Sequence, residues 1–122
     1  MDPRKKRRIE ELLRRELSNI VLHELRDPRA GFVTVTAVEL SGDQRSAKVL
    51  VMVRGSEEEK GEALRTLSRA RGHIQGLVGD RLELRYTPVL RFAEDTELHT
   101  VRRVEKLIDE ARRQDREYRE IP

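Results

Sequence analysis

Apolar residues recur through the first segment at Ile9, Leu12, Leu13, Leu17, Ile20, Val21 and Leu25, in steps of three and four. Such steps line one side of an α-helix. A long amphipathic helix is therefore expected over residues 4–26, with Arg14, Arg15, Glu16 and Glu24 on its other side. The pattern stops at Asp27-Pro28, where proline disfavours the helical conformation of the residue before it. From Phe32 to Leu40 the chain is rich in Val and Thr, which suit a pleated surface. Ser41-Gly42-Asp43-Gln44 supplies turn chemistry, and Ala47, Val49, Val51 and Val53 then alternate with Lys48, Leu50, Met52 and Arg54. The two stretches read as a hairpin with one face packed on helices.

Ser56-Glu57-Glu58-Glu59 has the form of a capping box, with three carboxylates at the positive end of a helix dipole. Ala63, Leu64, Leu67, Ala70, Ile74, Leu77 and Val78 continue as a helical stripe. Gly72 falls inside it, where glycine costs about 1 kcal/mol relative to alanine, so a helix bent or broken into 57–70 and 73–78 is expected. Leu82, Leu84 and Tyr86 alternate as a third strand, and Pro88 reduces 89–92 to an edge or a bulged continuation. Asp95 or Thr96 can cap a last helix carrying Leu98, Val101, Val104, Leu107 and Ile108 on one face. Past Ala111, Arg alternates with Asp and Glu and little remains to bury, so 111–122 reads as a frayed or disordered tail. The expectation is one α+β domain over residues 1–110, ordered α-β-β-α-kink-α-β with a C-terminal helix, its three-stranded sheet covered by helices.

Composition narrows the function classes. Charged residues make up 40% of the 122, with 26 Lys+Arg against 23 Asp+Glu, and hydrophobic residues only 36%. Leu, Val, Ile and Phe still number 33, above the share of about one fifth below which disorder is the default. One modest core is possible. Cysteine is absent, which excludes disulfide scaffolds, Cys zinc sites and thiol nucleophiles. Apolar runs fall far short of the roughly 20 residues that span a bilayer, and no apolar h-region follows the basic N-terminus. A cytoplasmic protein without membrane association is expected.

Catalysis finds no support. His23, His73 and His99 lie on separate helical segments with no i, i+4 partner, and no G-x-S-x-G, P-loop or G-x-G-x-x-G occurs. No enzyme activity, cofactor, metal or small-molecule substrate is expected.

Charge position matters more than the net +3. Residues 65–91 carry Arg65, Arg69, Arg71, Arg81, Arg85 and Arg91 against Asp80 and Glu83, a balance of +4. Residues 1–8 carry Arg4, Lys5, Lys6, Arg7 and Arg8 against Asp2, again +4. Two such patches suggest a nucleic-acid face, the bland alternative being arginines that merely solvate a helix. Guanidinium forks grip phosphate bidentately. The only aromatics are Phe32, Tyr86, Phe92 and Tyr118, too few for a stacking platform, and both phenylalanines suit the core. The implied mode is backbone and shape recognition of structured RNA. Gly72 would let a phosphate approach closely, beside amides freed at the start of the second half-helix. Its alternative is a packing glycine where the helix crosses a strand.

These residues resemble a known family. Leu25-Arg26-Asp27-Pro28-Arg29 with the block from Phe32 to Ser41, then Ala47-Lys48-Val49-Leu50-Val51, Leu67-Ser68-Arg69-Ala70-Arg71-Gly72 and Arg85-Tyr86-Thr87-Pro88-Val89-Leu90-Arg91-Phe92, is similar to bacterial ribosome-binding factor A over residues 5–110. The resemblance implies a type II KH-like fold in which an Ala-x-Gly kink, here Ala70-Arg71-Gly72, replaces the usual G-x-x-G loop. It implies a non-enzymatic assembly factor that binds free small (30S) ribosomal subunits, assists late maturation and 16S rRNA processing, contacts the 5′-terminal helix region and supports growth in the cold. The RNA-contacting set is then expected to be Arg4, Lys5, Lys6, Arg7, Arg8, Arg65, Arg69, Ala70, Arg71, Gly72, Arg85 and Arg91, on a monomer whose partners are 16S rRNA and the free 30S subunit. A protein-interaction module docking through the first helix or the tail is the main alternative. A KH-like binder of short single strands outside ribosome assembly is a third.

Overall fold

The computed structural model describes residues 2–24, 33–96 and 99–119, without the side chains of 99–101, 103 and 114–119. The elements are α1 (Pro3–His23), β1 (Val33–Leu40), β2 (Ser46–Val53), α2 (Glu57–Arg69), α3 (Arg71–Arg81), β3 (Val89–Glu94) and α4 (His99–Arg119). Asp2 starts α1, its carboxylate accepting from the Arg4 amide at 3.0 Å, with Pro3 at the first helical position, where proline is pre-set for the helix. The capping box forms as expected: the Glu59 amide donates to Ser56 Oγ and the Ser56 amide to Glu59 Oε1, both at 3.2 Å. Leu25, the Asp27-Pro28 stop and Phe32 lie outside the described residues.

The sheet order is β1-β2-β3, with β1 antiparallel and β3 parallel to the central β2. A parallel pair needs a long crossover, and α2 and α3 form it. Leu13, Leu17, Ile20 and Val21 of α1, Ala63 and Leu67 of α2, and Ile74 and Val78 of α3 close over one sheet face, which contributes Val35, Val38, Leu40, Ala47, Val49, Val51, Val53 and Leu90. A β-bulge at Thr36 resets the phase of β1. Without it Val35 and Val38 would face opposite ways; with it both are buried, and the Thr36 hydroxyl donates to the Leu50 carbonyl at 3.1 Å. Both edge strands are closed near the hairpin: Glu10 Oε2 accepts from the Leu40 amide and Gln75 Oε1 from the Leu90 amide, each at 2.8 Å. Open edges template unwanted strand pairing, so these two side chains protect the sheet.

Four details depart from the sequence expectation. The helix breaks at Ala70, not at Gly72, and α3 runs on to Arg81. The third strand is Val89–Glu94, after Pro88, while 82–88 is irregular. Leu82 and Leu84 alternate because that connection packs them against the core, and the amide-less Pro88 sits buried just before the strand, where no ladder bond is lost. Leu12 is 43% exposed, so the buried stripe of α1 is narrower than its spacing suggests. The apolar stripe of α4 is exposed at Val104, Leu107 and Ile108, and the helix continues through Arg119, into the stretch expected to fray. Good helix formers such as Ala111, Arg112 and Arg113 sustain a helix without burial. The domain is α+β, with the type II KH-like order α-β-β-α-α-β followed by α4.

Candidate nucleic-acid interface

The two ends of the sheet are distinct. One carries the β1–β2 turn, closed by the Ser41 amide donating to the Ser46 carbonyl at 2.9 Å, and the start of β3, tied by the Val89 amide donating to the Arg45 carbonyl at 2.9 Å. At the far end, Lys60 Nζ lies 3.4 Å from Glu94 Oε1, which puts the start of α2 beside the end of β3. The 13 residues of α2 then rise roughly 18 Å, about the length of six strand residues, and return the chain to the hairpin end. The Gln75–Leu90 bond holds the early turns of α3 there, and the Glu10–Leu40 bond holds the N-terminal half of α1.

Nearly all the expected site residues therefore gather at the hairpin end. Arg4, Lys5, Lys6, Arg7 and Arg8 come from the first turns of α1; Arg69, Ala70, Arg71 and Gly72 from the α2–α3 junction; Arg85 and Arg91 from the approach to β3 and β3 itself. Arg65 lies one turn back along α2, exposed, its Nη1 3.3 Å from where a Cβ on Gly61 would stand. Across the strands, Glu39 pairs with Lys48 and Lys48 with Arg91. Lys6, Glu10, Glu39, Lys48 and Arg91 line one open groove of about 520 Å³. Its cations outnumber its carboxylates, and Glu10 is already engaged by the Leu40 amide.

Some cations are already committed internally. Arg81 counted toward the local +4, yet its guanidinium reaches Glu24 at 2.8 Å and Glu16 at 3.9 Å, tying α3 to α1. Arg14 is bound by Glu11 at 2.6 Å, and that hydrogen bond raises its pKa against partial burial. Arg7 lines a shallow hollow with Glu10, Glu11 and Arg14.

The junction is sharp. Ala70, at φ −82° and ψ 0°, ends α2 and starts α3, and its amide is shared by the Thr66 and Ser68 carbonyls. No side chain caps α3, so its first amides, at the positive end of the helix dipole, lack a side-chain acceptor. Gly72 sits in that first turn with nothing within 4 Å of an added Cβ, and its φ is not positive. The packing explanation for Gly72 thus lacks a neighbour. An unencumbered backbone beside Arg69 and Arg71 is what close approach by a phosphate would use.

Sequence reasoning missed Arg45 and Lys48. Each is an isolated cation among apolar or turn residues, invisible to a local charge sum. Arg45 leaves the turn at a defined angle because Asp43 Oδ1 accepts from its amide at 3.1 Å and from Ser41 Oγ at 2.7 Å. Those bonds, the Ser41 one first, lower the Asp43 pKa. Among the described residues no three His, Cys, Asp or Glu side chains cluster to hold a metal, and no helix is long and apolar enough to cross a membrane.

Known proteins resemble this chain in sequence and fold. The family described as ribosome-binding factor A matches residues 5–108. A Halothermothrix orenii protein named ribosome-binding factor A is 41% identical over 120 residues, 98% of each chain. The crystal structure of ribosome-binding factor A from Thermus thermophilus superposes with a TM-score of 0.66 at 36% identity, covering 73% of this chain and 94% of that one. A Thermus thermophilus ribosome-binding factor A fitted into a cryo-EM map of a complex with the 30S subunit gives a TM-score of 0.58 at 35% identity, covering 69% and 88%.

Proposed function

The chain belongs to the ribosome-binding factor A family, and from that membership and the basic hairpin end we propose that it is a non-enzymatic assembly factor binding free small (30S) ribosomal subunits. In this reading it acts as a cytoplasmic monomer, docks on 16S rRNA near the 5′-terminal helix, assists late maturation and promotes 16S rRNA processing. The observation that carries it is that Lys6, Lys48 and Arg91 line one groove at the hairpin end of the sheet. That is the end toward which α2 brings Arg69 and Arg71, at the uncapped start of α3, and at which Arg85 stands over Tyr86. Arginine and lysine there neutralise phosphates, and Gly72 admits the backbone close to the first amides of α3. The Thermus thermophilus relative placed on a 30S subunit supports the same class of partner.

The test is co-sedimentation with free small subunits over a salt series. Six phosphate contacts would give a log–log slope of about −4 to −5.5. Arg69→Glu combined with Arg71→Glu should weaken association strongly while the melting temperature stays close to that of the parent, because both side chains are exposed. Undiminished subunit binding by that double variant would remove the junction from the interface.

One observation favours a second reading. Val104, Leu107 and Ile108 on α4 are exposed, as Leu12 and Leu22 are on α1, and such faces suit docking on a ribosomal or assembly protein. Association that survives nuclease digestion of the rRNA would favour it.

A further inference from the structure

Of the two aromatic side chains that the structure describes, Phe92 packs on the core and Tyr86 stands 37% exposed. Arg45 Cζ lies 5.3 Å and Arg85 Cζ 5.4 Å from the centroid of the Tyr86 ring. Both distances fall within cation–π range. The two guanidiniums are consequently no more than about 11 Å apart, although 40 residues separate them in the chain. Neither forms an ion pair with a described residue. Two like charges gathered on one ring repel, and an anion between them relieves that repulsion.

The roots of both side chains are fixed. The Arg45 carbonyl accepts from the Val89 amide at 2.9 Å, and its own amide donates to Asp43 at 3.1 Å. Gln44 holds φ 64°, a left-handed conformation uncommon for a non-glycine residue, so the turn is kept by these bonds and not by local preference. Arg85 precedes Tyr86 in the connection whose next residues are Thr87 and the buried Pro88. A guanidinium placed over a ring keeps its in-plane N–H donors for oxygen acceptors.

We propose that Arg45, Tyr86 and Arg85 form a phosphate clamp for the RNA backbone, in which the ring positions two guanidiniums and their N–H edges take phosphate oxygens. The clamp rests on the RNA reading above and adds Arg45 and Tyr86 to it. Its ligand is RNA and not an acidic protein surface, because Lys48, Arg91 and the open start of α3 occupy the same end of the sheet and would track successive phosphates. Tyr86 is a positioning residue: it need not touch the RNA.

The experiment measures binding of the full chain to a fully paired RNA hairpin and to free small subunits, each over a salt series. Arg45→Ala and Arg85→Ala should each lower the magnitude of the slope by about 0.7–0.9, the value of one phosphate contact. Tyr86→Ala should weaken affinity about two- to fivefold, the range of an exposed cation–π contact, and Tyr86→Phe should restore it. Arg45→Lys should keep the slope and lose affinity, since lysine carries the charge without the planar fork. Unchanged slopes in both alanine variants, a Tyr86→Phe chain as weak as Tyr86→Ala, or binding that survives RNA digestion would each overturn the clamp. Should the parent chain ignore small subunits while the hairpin slopes shift as stated, the ribosomal reading fails and the clamp stands. Subunit binding with unmoved slopes gives the reverse. Tyr86→Phe and Arg45→Lys are conservative enough to fold, and a melting curve for each variant identifies any that does not.

Discussion

At the end of the sheet where β2 passes into α2, Glu59 closes the capping box and Lys60 lies 3.4 Å from both Glu57 and Glu94. At the hairpin end, Arg45, Lys48, Arg85 and Arg91 are exposed and none forms an ion pair with a described carboxylate, although Asp43 shares the turn with Arg45 and Glu39 stands across from Lys48. The two ends are built on the same strands and differ in how charge is used. Where each charge is matched locally, it contributes to holding an element in place. Where cations outnumber the carboxylates near them, the excess adds repulsion, and a polyanion is the partner that reverses the sign. Arg81 and Arg85 show how local the distinction is: one turn of sequence apart, the first bonds Glu24 at 2.8 Å and the second faces solvent over Tyr86.

The comparison breaks most visibly at the two non-cationic side chains that serve the hairpin end structurally. Glu10→Ala or Gln75→Ala leaves the Leu40 or Leu90 amide without its acceptor, at a cost of about 1–3 kcal/mol in urea unfolding. Glu10→Gln keeps an acceptor oxygen and removes a carboxylate from the groove shared by Lys6, Lys48 and Arg91, so RNA affinity should rise while most of the stability is retained. Ser56→Ala at the far end should cost about 0.5–2 kcal/mol as a lost cap and leave affinity unmoved. If Ser56→Ala altered affinity as much as Glu10→Gln, the division between the ends would fail.

A finer contrast lies within α3. Gly72 and Gly76 both have nothing within 4 Å of an added Cβ and neither has positive φ. Alanine at either position should therefore stabilise the helix, by up to about 1 kcal/mol. Only Gly72→Ala sits in the first turn, where a methyl would obstruct a phosphate, so it alone should lower RNA affinity. Differential scanning calorimetry paired with hairpin binding separates the two outcomes, and equal binding by both variants would leave Gly72 without a functional role.

Periodicity made the helices legible, and the reason is local. Ala63, Leu64, Leu67, Ala70, Ile74, Leu77 and Val78 all meet the core or its margin, and Ser56 with Glu59 forms the box that their spacing announces. The third strand was harder. Leu82, Leu84 and Tyr86 alternate like a strand, but alternation over five residues does not distinguish a strand from a connection that tucks two leucines inward. The Thr36 bulge left no mark, because a Val/Thr-rich run reads equally well in either phase. Within the site, the run from Arg69 to Gly72 was visible as a run. Arg45, Lys48 and the Arg81–Glu24 bond were not, since each depends on strand register or on a crossover that joins distant residues.

The smallest effect concerns pH, and the two ends should respond at opposite limits. Asp43 is held below the ordinary carboxylate value of 3.8, first by the Ser41 hydroxyl and then by the Arg45 amide. A depressed carboxylate pKa means that the folded turn favours the ionised form, so its contribution is present above 3.8 and fades as pH falls through the lower folded value. Lys60 is raised above 10.5, mainly by the charges of Glu57 and Glu94. Its contribution is present below 10.5 and is lost as pH rises through the higher folded value. Asp43 is exposed and Lys60 partly so, and the consequences are local loosening and not unfolding. Amide exchange followed by NMR should show Arg45 and Ser46 losing protection first in acid, and the first turn of α2 losing it first in alkali. Asp43→Asn removes the ionised acceptor and should flatten the acid limb at the turn without touching the alkaline limb at α2. An acid limb that persists in Asp43→Asn would remove Asp43 as its source.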